Sequence, residues 1–269
     1  MTITSRDDEK KIKDKLPVLT SNAKIVLEKR YLLQNERGEI IETPDQLFKR
    51  VAKAIASNET RYGGEANIYE QEFYQMIAKL EFLPNSPCLM NAGTSINQLS
   101  ACFVLPVDDD MDSIFQAVKN AAIIHKSGGG TGMSFSRLRP TNDKVQSTGG
   151  IASGPISFMT VFNSATEIIK QGGRRRGANM GVLRVDHPDI MEFIHCKEDL
   201  TALNNFNISV GITEAFMKAV ENDDEFPLIN PRNSQEVTRM SARIIFENIV
   251  QMAHKNGEPG IIFLDRINA

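Results

Sequence analysis

The side chains of this chain best suited to chemistry are three cysteines, Cys88, Cys102 and Cys196, and four histidines, His125, His187, His195 and His254. A thiol can act as nucleophile, metal ligand or reductant, and its ionisation and exposure decide which. Cys102 lies in the strand-like run Leu99-Ser-Ala-Cys-Phe-Val-Leu105, where a lone cysteine is usually a buried core residue. Three cysteines at wide spacing do not make a disulfide framework, and a redox or catalytic role for one of them stays open. No metal site is expected. His195 and Cys196 are adjacent and would point about 100° apart on a helix. The one Glu192-x-x-His195 pair lacks the second helix of a carboxylate di-iron site.

Three further segments offer backbone chemistry. Ser127-Gly-Gly-Gly-Thr-Gly132 follows a predicted helix and enters a predicted strand; its amides could cradle a phosphate, or its glycines could simply connect. It is neither a Walker A loop nor a dinucleotide fingerprint. Gln171-Gly-Gly-Arg-Arg-Arg-Gly-Ala-Asn179 could bind phosphates through Arg174 to Arg176 or be a solvated basic turn. Pro84-Asn-Ser-Pro-Cys-Leu-Met-Asn-Ala-Gly-Thr94 reads as a binding loop ahead of a strand.

The elements that must position these residues change character along the chain. Residues 1–85 read as a helical domain. Thr43-Pro44-Asp45-Gln46 carries a capping-box start, Leu47, Val51, Ala54 and Ile55 follow at helical spacing, and a second helix is predicted over Ile68–Leu80. Residues 86–269 alternate strands and helices, as in an α/β fold with parallel strands. Strands are predicted over 101–107, 132–138, 178–185, 207–212, 226–229 and 260–264, and helices over 110–126, 156–171, 187–196, 213–221 and 237–256. The run Gly260–Ala269 reads as a strand of an incomplete domain or as an edge strand.

Bulk properties narrow the function classes. A chain of 269 residues with 41% hydrophobic side chains can bury a sizeable core. A net charge of −3 disfavours a nucleic-acid backbone as partner, RNA at Arg174–Arg176 included. The polar N-terminus and the lack of a bilayer-length apolar run point to the cytoplasm, with no membrane partner.

Taken in order, these segments resemble the large, catalytic subunit of ribonucleotide reductase, most closely its adenosylcobalamin-dependent class II. The resemblance rests on Leu27–Leu32, Pro84–Thr94, Leu99–Leu105 with Asp109–Ile114, Ser127–Pro140, Gly149–Pro155, Gln171–Asn179, Asp186–Ile190 and Asn204–Val210. Any one motif is weak; the ordered set is specific and covers nearly the whole chain. It implies an N-terminal helical domain followed by the first half of a ten-stranded α/β barrel. It also implies thiyl-radical reduction of the ribose 2′-hydroxyl, with a cysteine pair supplying two electrons.

Cys102 matches the first cysteine of that pair. Ser86, Ala101 and Asn204 are implied substrate contacts, and residues 202–207 resemble the loop linking effector to substrate. Asp109 and Ile114 would contact a deoxynucleoside triphosphate (dNTP) effector, with Lys126 and Arg139 on its phosphates. The helix over 110–126 presents Ile114, Val118, Ala121 and Ile124, a face suited to a partner helix in a homodimer or to the chain's own core. Other implied partners are a ribonucleotide, a thioredoxin-type reductant and the C-terminal half of the enzyme. No Asn-x-Cys-x-Glu motif, second reducing cysteine or ATP-cone is recognisable here, so the chain is not expected to turn over alone. Competing readings are a non-catalytic nucleotide-binding module and a class I large subunit with a separate radical subunit.

Overall fold

A computed structural model describes residues 19–144, 149–169 and 177–269. Arg174–Arg176 lie outside the described residues, as does most of the glycine-arginine loop. The chain forms two compact units, Met1–Ala101 and Cys102–Ala269.

The first unit is helical. Helix α1 (Ser21–Arg30) starts where the Thr20 hydroxyl accepts the Ala23 amide. Helix α2 (Pro44–Ala56) has the predicted capping box: Thr43 accepts from the Gln46 amide, and the Gln46 side chain accepts from the Thr43 amide. Its apolar face, with Leu47, Phe48 and Val51, packs against Ile77 near the end of α3 (Ala66–Ala78). Pro84–Thr94, expected as a loop, instead contains a short helix, α4 (Ser86–Asn91). Asn85 caps it by accepting from the Cys88 amide, and Pro87 suits its first turn. Cys88 and Leu89 enter the unit's core. The Arg50 guanidinium, paired with Glu42 at 2.7 Å, donates to the Leu89 and Ala92 carbonyls and so closes the end of α4.

The second unit is a five-stranded parallel sheet in the order β1-β2-β3-β4-β7. Its strands are β1 (Cys102–Leu105), β2 (Gly130–Ser134), β3 (Asn179–Arg184), β4 (Phe206–Ile212) and β7 (Gly260–Phe263). Helices make the crossovers: α5 (Met111–Lys126), α6 (Gly154–Ile168) and α7 (Ile190–His195) join successive neighbours from β1 to β4. Between β4 and β7 come α8 (Glu214–Asn222), β5 (Glu225–Asn230), β6 (Gln235–Ser241) and α9 (Ala242–Asn256), and a last turn, α10 (Leu264–Ile267), follows β7. The sheet is open, with β1 and β7 at its edges, so the unit is an unclosed partial barrel.

Two predicted elements differ. The strand over 226–229 does not join the parallel sheet but pairs antiparallel with β6 as a hairpin. The helix expected from 237 begins at Ala242, where Ser241 caps it by accepting the Ile244 amide. Residues 235–241 form strand β6, largely exposed, ahead of that cap.

The core lies on one face of the sheet. Phe206, Ile208, Val210 and Ile212 of β4 and Leu183 of β3 pack with Phe135, Met159 and Phe162. Each such side chain contributes about 1.5–3 kcal/mol when fully buried.

Candidate functional site

Side chains on a strand alternate between faces, and parallel partners in register share one. Cys102 and Val104 therefore share a face with Gly130, Gly132 and Ser134 of β2, Met180 and Val182 of β3, and Asn207 and Ser209 of β4. Phe103 and Leu105 take the other face, where the core lies. On its own side Val104 is 87% exposed, and Cys102 is exposed at the first position of β1. The expectation that a lone cysteine in an apolar strand is a core residue thus gives way. The strand is half-buried, and its sulfur is on the open half.

The other two thiols differ from it. Cys88 is buried in the helical unit, and burial raises its pKa against the opposing pull of Arg50. Cys196 is half-buried, and burial pushes its thiol up to about 12.

Ala101 directly precedes Cys102 and is half-buried. Ser86 is the first residue of α4, and its hydroxyl lies 2.9 Å from the Tyr31 hydroxyl. Asn204 is exposed in the turn before β4. Its neighbours hold it there. Leu203 takes a left-handed φ of 48°, and the Asn205 side chain donates to Glu167 of α6 at 2.9 Å while its amide donates to Asn163 at 3.0 Å.

The glycine loop between α5 and β2 is a connection. The amides of Ser127, Gly128 and Gly129 donate to the Ile124 and His125 carbonyls at the end of α5, so they are committed to closing that helix. Gly128 has a φ of +87°, and a Cβ at Gly129 would sit 2.6 Å from Ile124 and 2.9 Å from Phe103. The glycines serve the turn and the close packing, and the loop stands at the electronegative end of the helix.

The implied effector residues fall into two places. Asp109, Ile114 and Arg139 line one cleft of about 380 Å³, together with Asp110, Met111, Leu138, Ile151–Gly154 and Phe158. The N-termini of α5 and α6 both open onto it; at α5 the Asp110 carboxylate already accepts the Ser113 amide, whereas Ser153 makes no side-chain cap at α6. Arg139 is held by Asp109, its Nε donating to Oδ2 at 2.7 Å and its amide to Oδ1 at 3.1 Å. Lys126 is exposed at the far end of α5 and takes no part in the cleft.

The face of α5 offered to a partner is also corrected. Ile114 and Ala121 are buried in the unit's own core, and Val118 packs against it. The exposed apolar residues of α5 are Met111, Phe115 and Ile123.

Sequence reasoning also passed over the polar fasteners beneath these surfaces. Buried His187 donates through Nε2 to the Leu138 carbonyl at 2.9 Å and accepts the Asp189 amide on Nδ1, which fixes a neutral ring. Asp189 in turn accepts from the amide and hydroxyl of Thr141. His125 hydrogen-bonds Thr131, which donates to Asn179, which donates to Thr166. Burial lowers the pKa of both histidines. The signal available in the sequence was the Asp186-His187-Pro188-Asp189 cluster.

Fold and site together define a helical unit followed by a half-open parallel barrel that displays a single exposed thiol on its uncovered face. A model of the ribonucleotide reductase barrel domain matches residues 100–269, and one of the ribonucleotide reductase all-alpha domain matches residues 18–97. The chain is 46% identical to a vitamin B12-dependent ribonucleoside-diphosphate reductase of Thermoplasma acidophilum, over 96% of this chain and 41% of that protein. A reductase of the same name from Mycobacterium tuberculosis is 46% identical over 96% of this chain and 37% of its own length. The ribonucleoside-diphosphate reductase large subunit of vaccinia virus is 30% identical over 90% of this chain and 34% of its own length. The chain belongs to the ribonucleotide reductase large-subunit family, and it spans about two fifths of the first two relatives. Among the described residues no helix is long and apolar enough to cross a membrane.

Proposed function

We propose that this chain forms the substrate-facing first part of a cobalamin-dependent ribonucleotide reductase catalytic subunit. The observation that carries the reading is Cys102, exposed at the start of β1 on a sheet face floored by Gly130 and Gly132. A ribose laid on that face would meet sulfur without crossing bulk, because a Cβ at Gly132 meets only ordinary contacts at 3.7 and 4.0 Å. In this role Cys102 is one of two thiols that reduce the 2′ carbon: both sulfurs join as a disulfide, two electrons pass to the sugar, and the 2′-oxygen leaves as water. Ala101, Ser86 and Asn204 are the proposed substrate contacts, and a nucleoside diphosphate is the substrate the relatives' names favour.

The similarity to vitamin B12-dependent relatives at 46% identity, against 30% for the viral large subunit, favours adenosylcobalamin over a separate radical subunit. Such a group would lie toward the uncovered face, where Cys102 and Val104 are exposed. When bound, it supplies the radical that begins the reaction. This chain's part is to orient the sugar and hold the reducing sulfur in a rigid strand.

The cleft at Asp109, Ile114 and Arg139 is the proposed dNTP effector site, with the α6 N-terminus, which no side chain caps, toward the phosphates. A homodimer through α5 would use Met111, Phe115 and Ile123, and a thioredoxin-type reductant would re-reduce the disulfide.

The test is Cys102→Ser in the full-length polypeptide, assayed with adenosylcobalamin, a dithiol and each ribonucleoside diphosphate. Multiple-turnover formation of deoxynucleotide is expected to fall at least about a thousandfold, in keeping with loss of a chemically essential group. Wild-type steady-state activity in the variant contradicts the role.

A further inference from the structure

The hairpin β5–β6 is not part of the barrel sheet, and the parallel fold does not require it. Its turn nevertheless reaches across to the segment that walls the effector cleft. Asn230 Nδ2 donates to Asp143 Oδ2 at 3.1 Å; Arg232 donates through Nε to the same oxygen at 3.1 Å and through Nη2 to Oδ1 at 3.2 Å. The Lys144 amide adds a fourth donor at 2.8 Å. The Asn230 side-chain oxygen accepts the Arg232 amide, so the two donors are held to each other. Next to the turn, the Ile229 amide donates to the Asp186 carbonyl at 2.6 Å.

Asp143 is well placed to transmit this hold. Its carbonyl accepts the Ala152 amide at 2.8 Å, and the Asn142 amide donates to the Ala152 carbonyl at 3.0 Å. Lys144 and Ile151 form a further antiparallel bridge. The arm Pro140–Lys144 is thereby laced to the arm Ile151–Ser153, and Ile151, Ala152 and Ser153 line the cleft. A second fastener, Thr141 on Asp189, holds the same arm from the other side. Arg232 and Asp143 are 29% and 14% exposed at the side chain, so this pair is better shielded than an open surface ion pair.

We propose that Asp143, Asn230 and Arg232 form a clasp by which the β5–β6 hairpin sets the position of the cleft wall at Ile151–Gly154 and so the cleft's affinity for its nucleotide. The affinity part rests on the reading of that cleft as a dNTP site. The three residues are positioning residues. None of them lines the cleft, and they act through the backbone of Ala152. Holding the wall in place before binding removes part of the ordering cost the ligand would otherwise meet.

Two measurements on the full 269-residue chain separate the clasp from the ligand reading. The first is amide hydrogen exchange without nucleotide, comparing wild type with Arg232→Ala, Asp143→Asn and the charge-reversed pair D143R/R232D. The single variants are expected to speed exchange at Ala152–Gly154 by about tenfold or more while leaving β3 and β4 unchanged. The reversed pair is expected to restore part of the protection, which a general loss of stability would not do. Unchanged exchange at Ala152–Gly154 in both single variants overturns the clasp. The second is calorimetric titration with each of the four deoxynucleoside triphosphates. The tightest is expected to bind about tenfold more weakly to Arg232→Ala. Equal affinity in wild type and variant overturns the claim that the clasp sets affinity. If wild type binds none of the four while the exchange result holds, the clasp stands as a fastener, and both the nucleotide reading and the affinity claim fall.

Discussion

The two faces of the five-stranded sheet carry the same backbone and opposite duties. One bears Phe206, Ile208, Val210, Ile212 and Leu183, all buried against helices. The other bears Cys102, Val104, Gly130, Gly132, Ser134 and Asn207, which are exposed or half-buried. Stability comes from the first face, because apolar area is removed from water there. The second face can hold a reactive thiol and glycine because it contributes little to that burial.

The largest expected effect comes from truncating one residue on each face. Phe206→Ala should cost about 3–5 kcal/mol, the usual range for emptying an aromatic site in a core. Val104→Ala, in the exposed strand β1, should change stability by no more than about 0.5 kcal/mol. Urea denaturation of both variants checks this. Comparable losses at the two sites would mean that the face bearing Cys102 is covered after all.

A gentler version adds an atom instead of removing several. At Gly181 a Cβ would meet Met159 at 3.0 Å and Phe206 at 3.3 Å; at Gly132 it would meet nothing closer than 3.7 Å. Gly181→Ala should therefore destabilise by about 1–3 kcal/mol through overpacking. Gly132→Ala should be near neutral in the same denaturation assay. The reverse order would contradict the assignment of faces.

Protons probe the fasteners on the covered side. Burial lowers the pKa of His125 and His187 from the ordinary value of 6.5. Between the lowered values and 6.5 the unfolded chain binds more protons than the folded one, so stability rises with pH across that window. The contribution is complete above pH 6.5 and is lost as the pH falls below it. Melting temperatures measured from pH 5 to 8 should show that slope, and His187→Gln should flatten it. A melting temperature that rises on acidification through the window would oppose the assignment.

Much of this was legible in the sequence, because local signals governed it. The Thr43 capping box and the apolar spacing after it specify α2, and the apolar runs mark five parallel strands to within a few residues. What was not legible depended on distant partners. Residues 237–241 read as the front of a helix because the helical period of Ala242–Asn256 runs up to them, and only pairing with β5 makes them part of a strand. The glycines of 127–132 left phosphate binding and a plain connection both open, since nothing local reveals that the amides of 127–129 are already taken by α5 or that Phe103 presses on Gly129. Asp143 and Arg232 are 89 residues apart, beyond any local pattern. Cys102 is the instructive case. Read alone it pointed to the core, while the family resemblance gave it to the reducing pair; alternation with Phe103 and Leu105 assigns it to the other face.

That placement can be measured on the chain itself. Native protein at pH 7.5, exposed briefly to a limiting thiol-alkylating reagent and mapped by mass spectrometry, should be labelled at Cys102 well before buried Cys88 or high-pKa Cys196. Labelling of Cys88 or Cys196 ahead of Cys102 would contradict the account at its centre.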